Sequence, residues 1–156
     1  MKRTAPGLPV GLAIAGGVIG WLLEVGLASA GSAVLVPPYS LAVALAGIAL
    51  VLAAAGWPIR QTVRGKATRR LDPFRAMRVL LLAKASTLAG ALIGGASLAI
   101  VLYLLSRPVL PSAALPPAIA AVVASLVLVA AGLLVEHWCR VPPEDDDPGD
   151  PALQGE

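Results

Sequence analysis

The chain has 156 residues, of which 58% are hydrophobic and 13% charged, with a mean hydropathy of +0.84. That composition excludes an ordinary soluble domain, in which charged residues make up about a quarter of the chain. The net charge of +3 hides a segregation: seven of the twelve basic residues fall between Arg60 and Arg78, and six of the nine acidic ones in the last thirteen positions.

The first apolar run covers residues 8–30, follows Lys2 and Arg3, and has Glu24 as its only charge. At about 1.5 Å per residue it can cross a hydrocarbon core about 30 Å thick. A link at 31–38 contains Pro37-Pro38, which separates this span from the next because the residue before a proline avoids the helical region. The second run, 39–58, ends where the composition turns basic, and 59–78 is predicted to be a polar loop. The third, 79–105, is interrupted only by Lys84. A link with Arg107, Pro108 and Pro111 leads to the fourth, 115–135, where Pro116-Pro117 suits a first helical turn that needs no amide hydrogen. The tail at 141–156 is acidic and proline-containing, cannot bury enough apolar area to offset its ordering entropy, and is predicted to be disordered. The expected fold is an all-α membrane protein: a four-helix transmembrane domain over 1–140 with a disordered acidic C-terminal tail.

Orientation follows from the loops. Lys2, Arg3, the basic segment and Arg140 lie on one side of the four spans and Arg107 alone on the other, so the positive-inside rule places both termini in the cytoplasm and the protein in the plasma membrane. Tyr39 and Tyr103 fall near the outer ends of spans and Trp57 and Trp138 near the inner ends, the positions of interfacial aromatic belts. Lys2-Arg3, the apolar run and Ala28-Ser29-Ala30 imitate a secretory signal with its cleavage site. The run is too long for a signal, whose apolar region has roughly 7 to 15 residues, and it carries Glu24, so an uncleaved first helix is the better reading.

Two ionisable residues fall inside spans. Glu24, roughly 9 Å from the outer end of its span, must face other helices or be protonated. It serves either as a proton or cation site or as a hydrogen-bonded carboxyl that joins two helices. Lys84 lies near the opposite face, about 12 Å away in depth, which argues against a direct ion pair. It snorkels to the interface, or bonds Ser86, Thr87 or helix carbonyls, or receives an anionic substrate.

Glycines at four-residue spacing, Gly7 and Gly11 and then Gly16 and Gly20 in the first span, and Gly90 and Gly94 in the third with Ala91 and Gly95 beside them, put small residues on one face and allow close helix approach, between spans one and three or in self-association. Arg60, Arg64, Lys66, Arg69 and Arg70 are placed to meet anionic lipid headgroups or simply to fix topology. Nucleic-acid binding is not expected, because aromatic stacking residues are not interleaved with the basic ones beyond Phe74. His137 and Cys139, two apart, cannot form a metal-binding helix face, so no metal or cofactor is expected. Cys139, being single, cannot form an internal disulfide.

Val36-Pro37-Pro38, Asp72-Pro73-Phe74-Arg75-Ala76 through Lys84-Ala85-Ser86, and Cys139-Arg140-Val141-Pro142-Pro143 with the acidic run 144–147 resemble a family of small actinobacterial membrane proteins of unknown function, often encoded beside folate-biosynthesis genes. The resemblance covers nearly the whole chain. It implies four spans and hints at a link to pterin or folate metabolism, but supplies no catalytic residues.

No phosphate-cradling loop, nucleophile elbow or converging Ser, His and acid set is present. The sequence therefore points away from an enzyme. It points toward an accessory or scaffold protein that associates through small-residue helix faces with itself or another membrane protein. The alternative is a small transporter, or a transporter subunit, with Glu24 and Lys84 on one polar path.

Overall fold

A computed structural model describes residues 7–63, 73–107 and 112–138. Among them are four α-helices: α1 (Gly7–Ser29), α2 (Tyr39–Val63), α3 (Pro73–Leu105) and α4 (Leu115–Trp138). Each is long and apolar enough to cross a membrane. The expected tail and the middle of the expected basic loop, residues 64–72 with Arg64, Lys66, Arg69 and Arg70, lie outside the described residues.

The helix ends differ from expectation on the side where the chain begins. α2 continues through Pro58 to Val63, and α3 already starts at Pro73, so Arg60, Arg75 and Arg78 are helical where a loop was predicted. Pro58 removes one rung of the hydrogen-bond ladder, while the rungs on either side remain; Pro73 occupies a first turn, where no rung is lost. The 33 residues of α3 give a rod about 50 Å long, well beyond a 30 Å hydrocarbon core, so its basic first turns project past the apolar layer. At the other end, α1 stops through Gly31, whose φ of 69° is the left-handed conformation that glycine adopts without strain. The Ser32 amide donates to Leu27 O at 2.9 Å and the Gly31 amide to Ala28 O at 3.2 Å, the paired bonds of a Schellman cap.

Close approaches fix the helix directions. A Cβ added to Gly16 or Gly20 would lie 2.1 Å from Leu92 O or 2.9 Å from Ala96 O, so α1 and α3 run parallel. Gly94 meets Ser125 and Gly132 meets Thr87, so α3 and α4 run antiparallel; Leu45 and Ala49 pack with Ala124 and Leu128, and Gly56 meets Val135 and Trp138, so α2 runs parallel to α4. Trp57 and Trp138 close that last contact edge-to-face at 6.4 Å.

Both α1 and α4 pack on α3, and α2 packs chiefly on α4. Helix α1 touches neither α2 nor α4, which leaves it at the edge of a row ordered α1, α3, α4, α2. The link between α1 and α2 must therefore pass over the ends of α3 and α4, and it does: Val34 packs against a cluster of Ile100, Leu104, Ala114 and Ala118.

The interior is made of small and aliphatic side chains, among them Leu52, Ala83, Leu128 and Val135. Two of its hydroxyls bond within their own helices, Thr87 Oγ1 donating to Ala83 O at 3.0 Å and Ser125 Oγ to Ala121 O at 2.7 Å. Large apolar side chains elsewhere on all four helices are exposed, including Ile14, Val43, Leu50, Leu81 and Leu126. That pattern fits a lipid solvent and would be unfavourable in water.

Candidate functional site

Two features stand out from this packing: a buried carboxyl under the link end of the bundle, and an open apolar groove along its flank.

Glu24 follows Gly20 by one turn on the face that α1 turns to α3. It is 1% exposed, and neither carboxylate oxygen completes a hydrogen bond. The Leu35 amide, in the overlying link, and the Arg107 guanidinium are the positively polarised groups that act on it. Close by, Trp21 of α1 meets Tyr103 of α3 edge-on with ring centroids 5.7 Å apart. Arg107 donates to the Tyr103 hydroxyl and lies 4.9 Å from that ring's centroid. Tyr103 lies near the end of α3 as expected, and it is buried and holds a loop arginine. Tyr39 is 58% exposed. The sequence offered no signal for Arg107 acting on Glu24, because the two are far apart along the chain and come together only after α3 has crossed back.

Lys84 sits half-buried on α3 near the other end. The α1–α3 register pairs Gly16 with Leu92 and Gly20 with Ala96, which puts Lys84 sixteen residues, or about 24 Å, from the level of Glu24. The expected separation was about 12 Å. That figure took the predicted span ends as the membrane faces, but α3 is longer than the hydrocarbon core and slides past them. The two side chains share no cavity among the described residues. Thr87, one of the alternative partners expected for Lys84, donates its proton to Ala83 O and packs into the notch at Gly132.

The glycines divide between two partners. Gly16 and Gly20 face α3. Gly90 and Gly94 face Val129, Leu128 and Ser125 of α4. The α3 glycine that receives α1 is Gly95, whose added Cβ would lie 1.9 Å from Ala13 O. Sequence reasoning passed over it as a neighbour of the spaced pair. Gly7 and Gly11 have nothing within 4 Å.

Because α1 and α4 both stand on α3 without touching, a groove of about 970 Å³ runs between them. Its walls include Val10, Ile14 and Val18 of α1 and Val122 and Leu126 of α4, and its floor includes Gly94, Gly95 and Leu98 of α3. Ser125 supplies its single hydroxyl, already bonded to Ala121 O. Along α1 the groove extends from Pro9 to Leu22, about 20 Å of helix rise. Such a surface offers shape and van der Waals contact, with no charge to bind a polar substrate and no group to carry out chemistry.

Four long apolar helices, arranged up and down around small-residue contacts, define a multi-pass membrane protein of the helix-bundle class. The chain belongs to the family described as protein of unknown function (DUF3180), whose model matches residues 10–143. No curated protein and no solved structure matches it.

Proposed function

We propose that this is a non-enzymatic accessory protein of the plasma membrane that associates with a transmembrane helix through the groove between α1 and α4. The observation that carries the reading is the groove itself: about 970 Å³ of apolar space, open at the side and floored by Gly94 and Gly95. A glycine floor lets a neighbouring backbone approach closely, which is how helices associate when lipid removes the hydrophobic drive. The alternative, transport along a path through Glu24 and Lys84, is disfavoured by the distance of about 24 Å between their levels and by the apolar lining of the groove.

In this reading both termini are cytoplasmic, in keeping with the basic residues at the terminal ends of the helices. Arg60, Arg64, Lys66, Arg69 and Arg70 then face the inner leaflet, where anionic headgroups attract them by about 1 kcal/mol each. The resemblance to actinobacterial proteins encoded beside folate genes adds a metabolic expectation: deletion shifts the cell's pterin pools. Unchanged pools would remove that link and leave the groove reading intact.

The association is tested by placing a photo-crosslinking amino acid at Leu126 in the groove and, separately, at Leu50, which is exposed on α2. In living cells the Leu126 position yields a discrete protein adduct and the Leu50 position none. The adduct disappears in Gly17→Leu, which fills the groove at a position whose Cβ would meet only Gly95 O, at 3.6 Å. Equal labelling from both positions, or adduct yield untouched by Gly17→Leu, overturns the reading.

A further inference from the structure

We infer that the helix occupying the groove is α1 of a second copy of this chain, in a two-fold dimer in which each copy's α1 lies between α1 and α4 of the other. The inference rests on the groove being a helix site and names its occupant.

The first ground is that α1 has a single helix partner within the chain. It packs on α3 alone, and Val10, Ile14, Val18 and Leu22 are 54–64% exposed on the side that forms the groove wall. Whatever helix enters the groove must lie against that wall. An α1 that enters brings the same unburied wall with it, so one contact completes both copies.

The second ground is geometric. Parallel helices pack 8–10 Å apart, and α1, α3 and α4 form three of the positions around the groove. A helix set in the fourth position touches all three. Rotating the whole chain by 180° about an axis midway between α1 and that position, along the membrane normal, puts α1 there and puts the first copy's α1 in the second copy's groove. The row order keeps α2 on the far side of α4, away from the axis, so the two-fold pairing closes on two copies. A two-fold interface uses the same patch on both partners, and here the patch is wall and groove together.

The third ground is the shape of the wall. Val10, Ile14, Val18 and Leu22 form a ridge at four-residue spacing, and Ala13 and Gly17 form a notch beside it. Such ridges and notches of one helix fit those of an identical helix, in the close crossing that small residues at four-residue spacing permit. Gly17 has room for a close neighbour, since the nearest atom to its added Cβ is Gly95 O at 3.6 Å. Nine large apolar side chains lining the groove are between 40% and 64% exposed, so an entering helix has apolar surface to cover on both walls and the floor. With no charge in the lining, nothing repels an identical wall.

The test uses the full-length chain in native membranes, in a Cys139→Ser background. Ile14→Cys, near the axis, forms an intermolecular disulfide under mild oxidation, and co-expressed Val18→Cys and Leu126→Cys chains of different tag size form a mixed one. Ile19→Cys, exposed but outside the groove, forms none, and Gly17→Leu abolishes both cross-links while the thermal midpoint of the purified protein stays within a few degrees. If Ile14→Cys and the mixed pair stay monomeric while the photo-crosslinker at Leu126 captures a different protein, the dimer is overturned and the accessory reading stands. If neither cross-links and the purified chain is monomeric with lipid in the groove, both fall.

Discussion

A carboxyl with neither oxygen hydrogen-bonded weakens a fold wherever it is buried, and Glu24 is such a group at 1% exposure. Removing it should therefore help. Glu24→Leu, similar in volume and without polar atoms, is expected to stabilise the purified protein by about 1–3 kcal/mol, the penalty of an unsatisfied buried polar group. The change strands no buried charge, because Arg107 is exposed and bonded to Tyr103. Glu24→Gln, which keeps a buried amide, gains little. Thermal unfolding in detergent distinguishes them, and a lower midpoint for the leucine variant would show that the carboxyl has a partner worth more than its desolvation. The sequence made Glu24 conspicuous, since a lone acid in an apolar run is visible to counting. Its surroundings were not visible: Leu35 and Arg107 reach it through loops whose course depends on the order of the helices.

Between elements, the decisive contacts are backbone against backbone. Gly16→Val puts a branched side chain where an added Cβ already falls 2.1 Å from Leu92 O, and a main-chain oxygen in a helix cannot move aside as a side chain can. The variant is expected to lift α1 from α3, with a loss well above the 1–3 kcal/mol of ordinary overpacking. Gly11→Ala, with nothing within 4 Å, leaves the midpoint unchanged or slightly raised. Protease cleavage within the 31–38 link reports the difference, being rapid in Gly16→Val and slow in both Gly11→Ala and the unmodified chain. Helix number and approximate limits were legible in the sequence because length and hydropathy determine them. The ends at Val63 and Pro73 were not, because charged residues continue a helix beyond lipid as readily as they end one. Four-residue spacing identifies residues that share a face, but not the helix that face meets. Gly94 and Gly95, adjacent in sequence and 100° apart around the axis, serve α4 and α1 respectively.

For the molecule as a whole, the two ends of the bundle differ in charge. Helix α2 runs into Arg60 and α3 starts through Arg75 and Arg78, whereas the opposite end carries Arg107, held by Tyr103. Lys84 belongs to the basic end. Counting from Leu105, it lies twenty-one residues or about 31 Å along α3, and in the proposed orientation its ammonium is expected to snorkel to headgroups on that side. Insertion that places this end in the cytoplasm keeps the many cations on the side that retains them and translocates one arginine. The orientation has a direct measure. In a Cys139→Ser background, Ser32→Cys lies in the link beyond Gly31 and is exposed, so a membrane-impermeant maleimide applied to intact cells labels it. In the unmodified chain Cys139, one residue past the end of α4, is labelled only after the cells are permeabilised. The reverse pattern would invert the topology and place the basic segment outside, where the inner leaflet's anionic lipids could not meet it. Labelling of both in intact cells would mean that insertion is mixed, and a parallel two-fold dimer through α1 would then form in only part of the population.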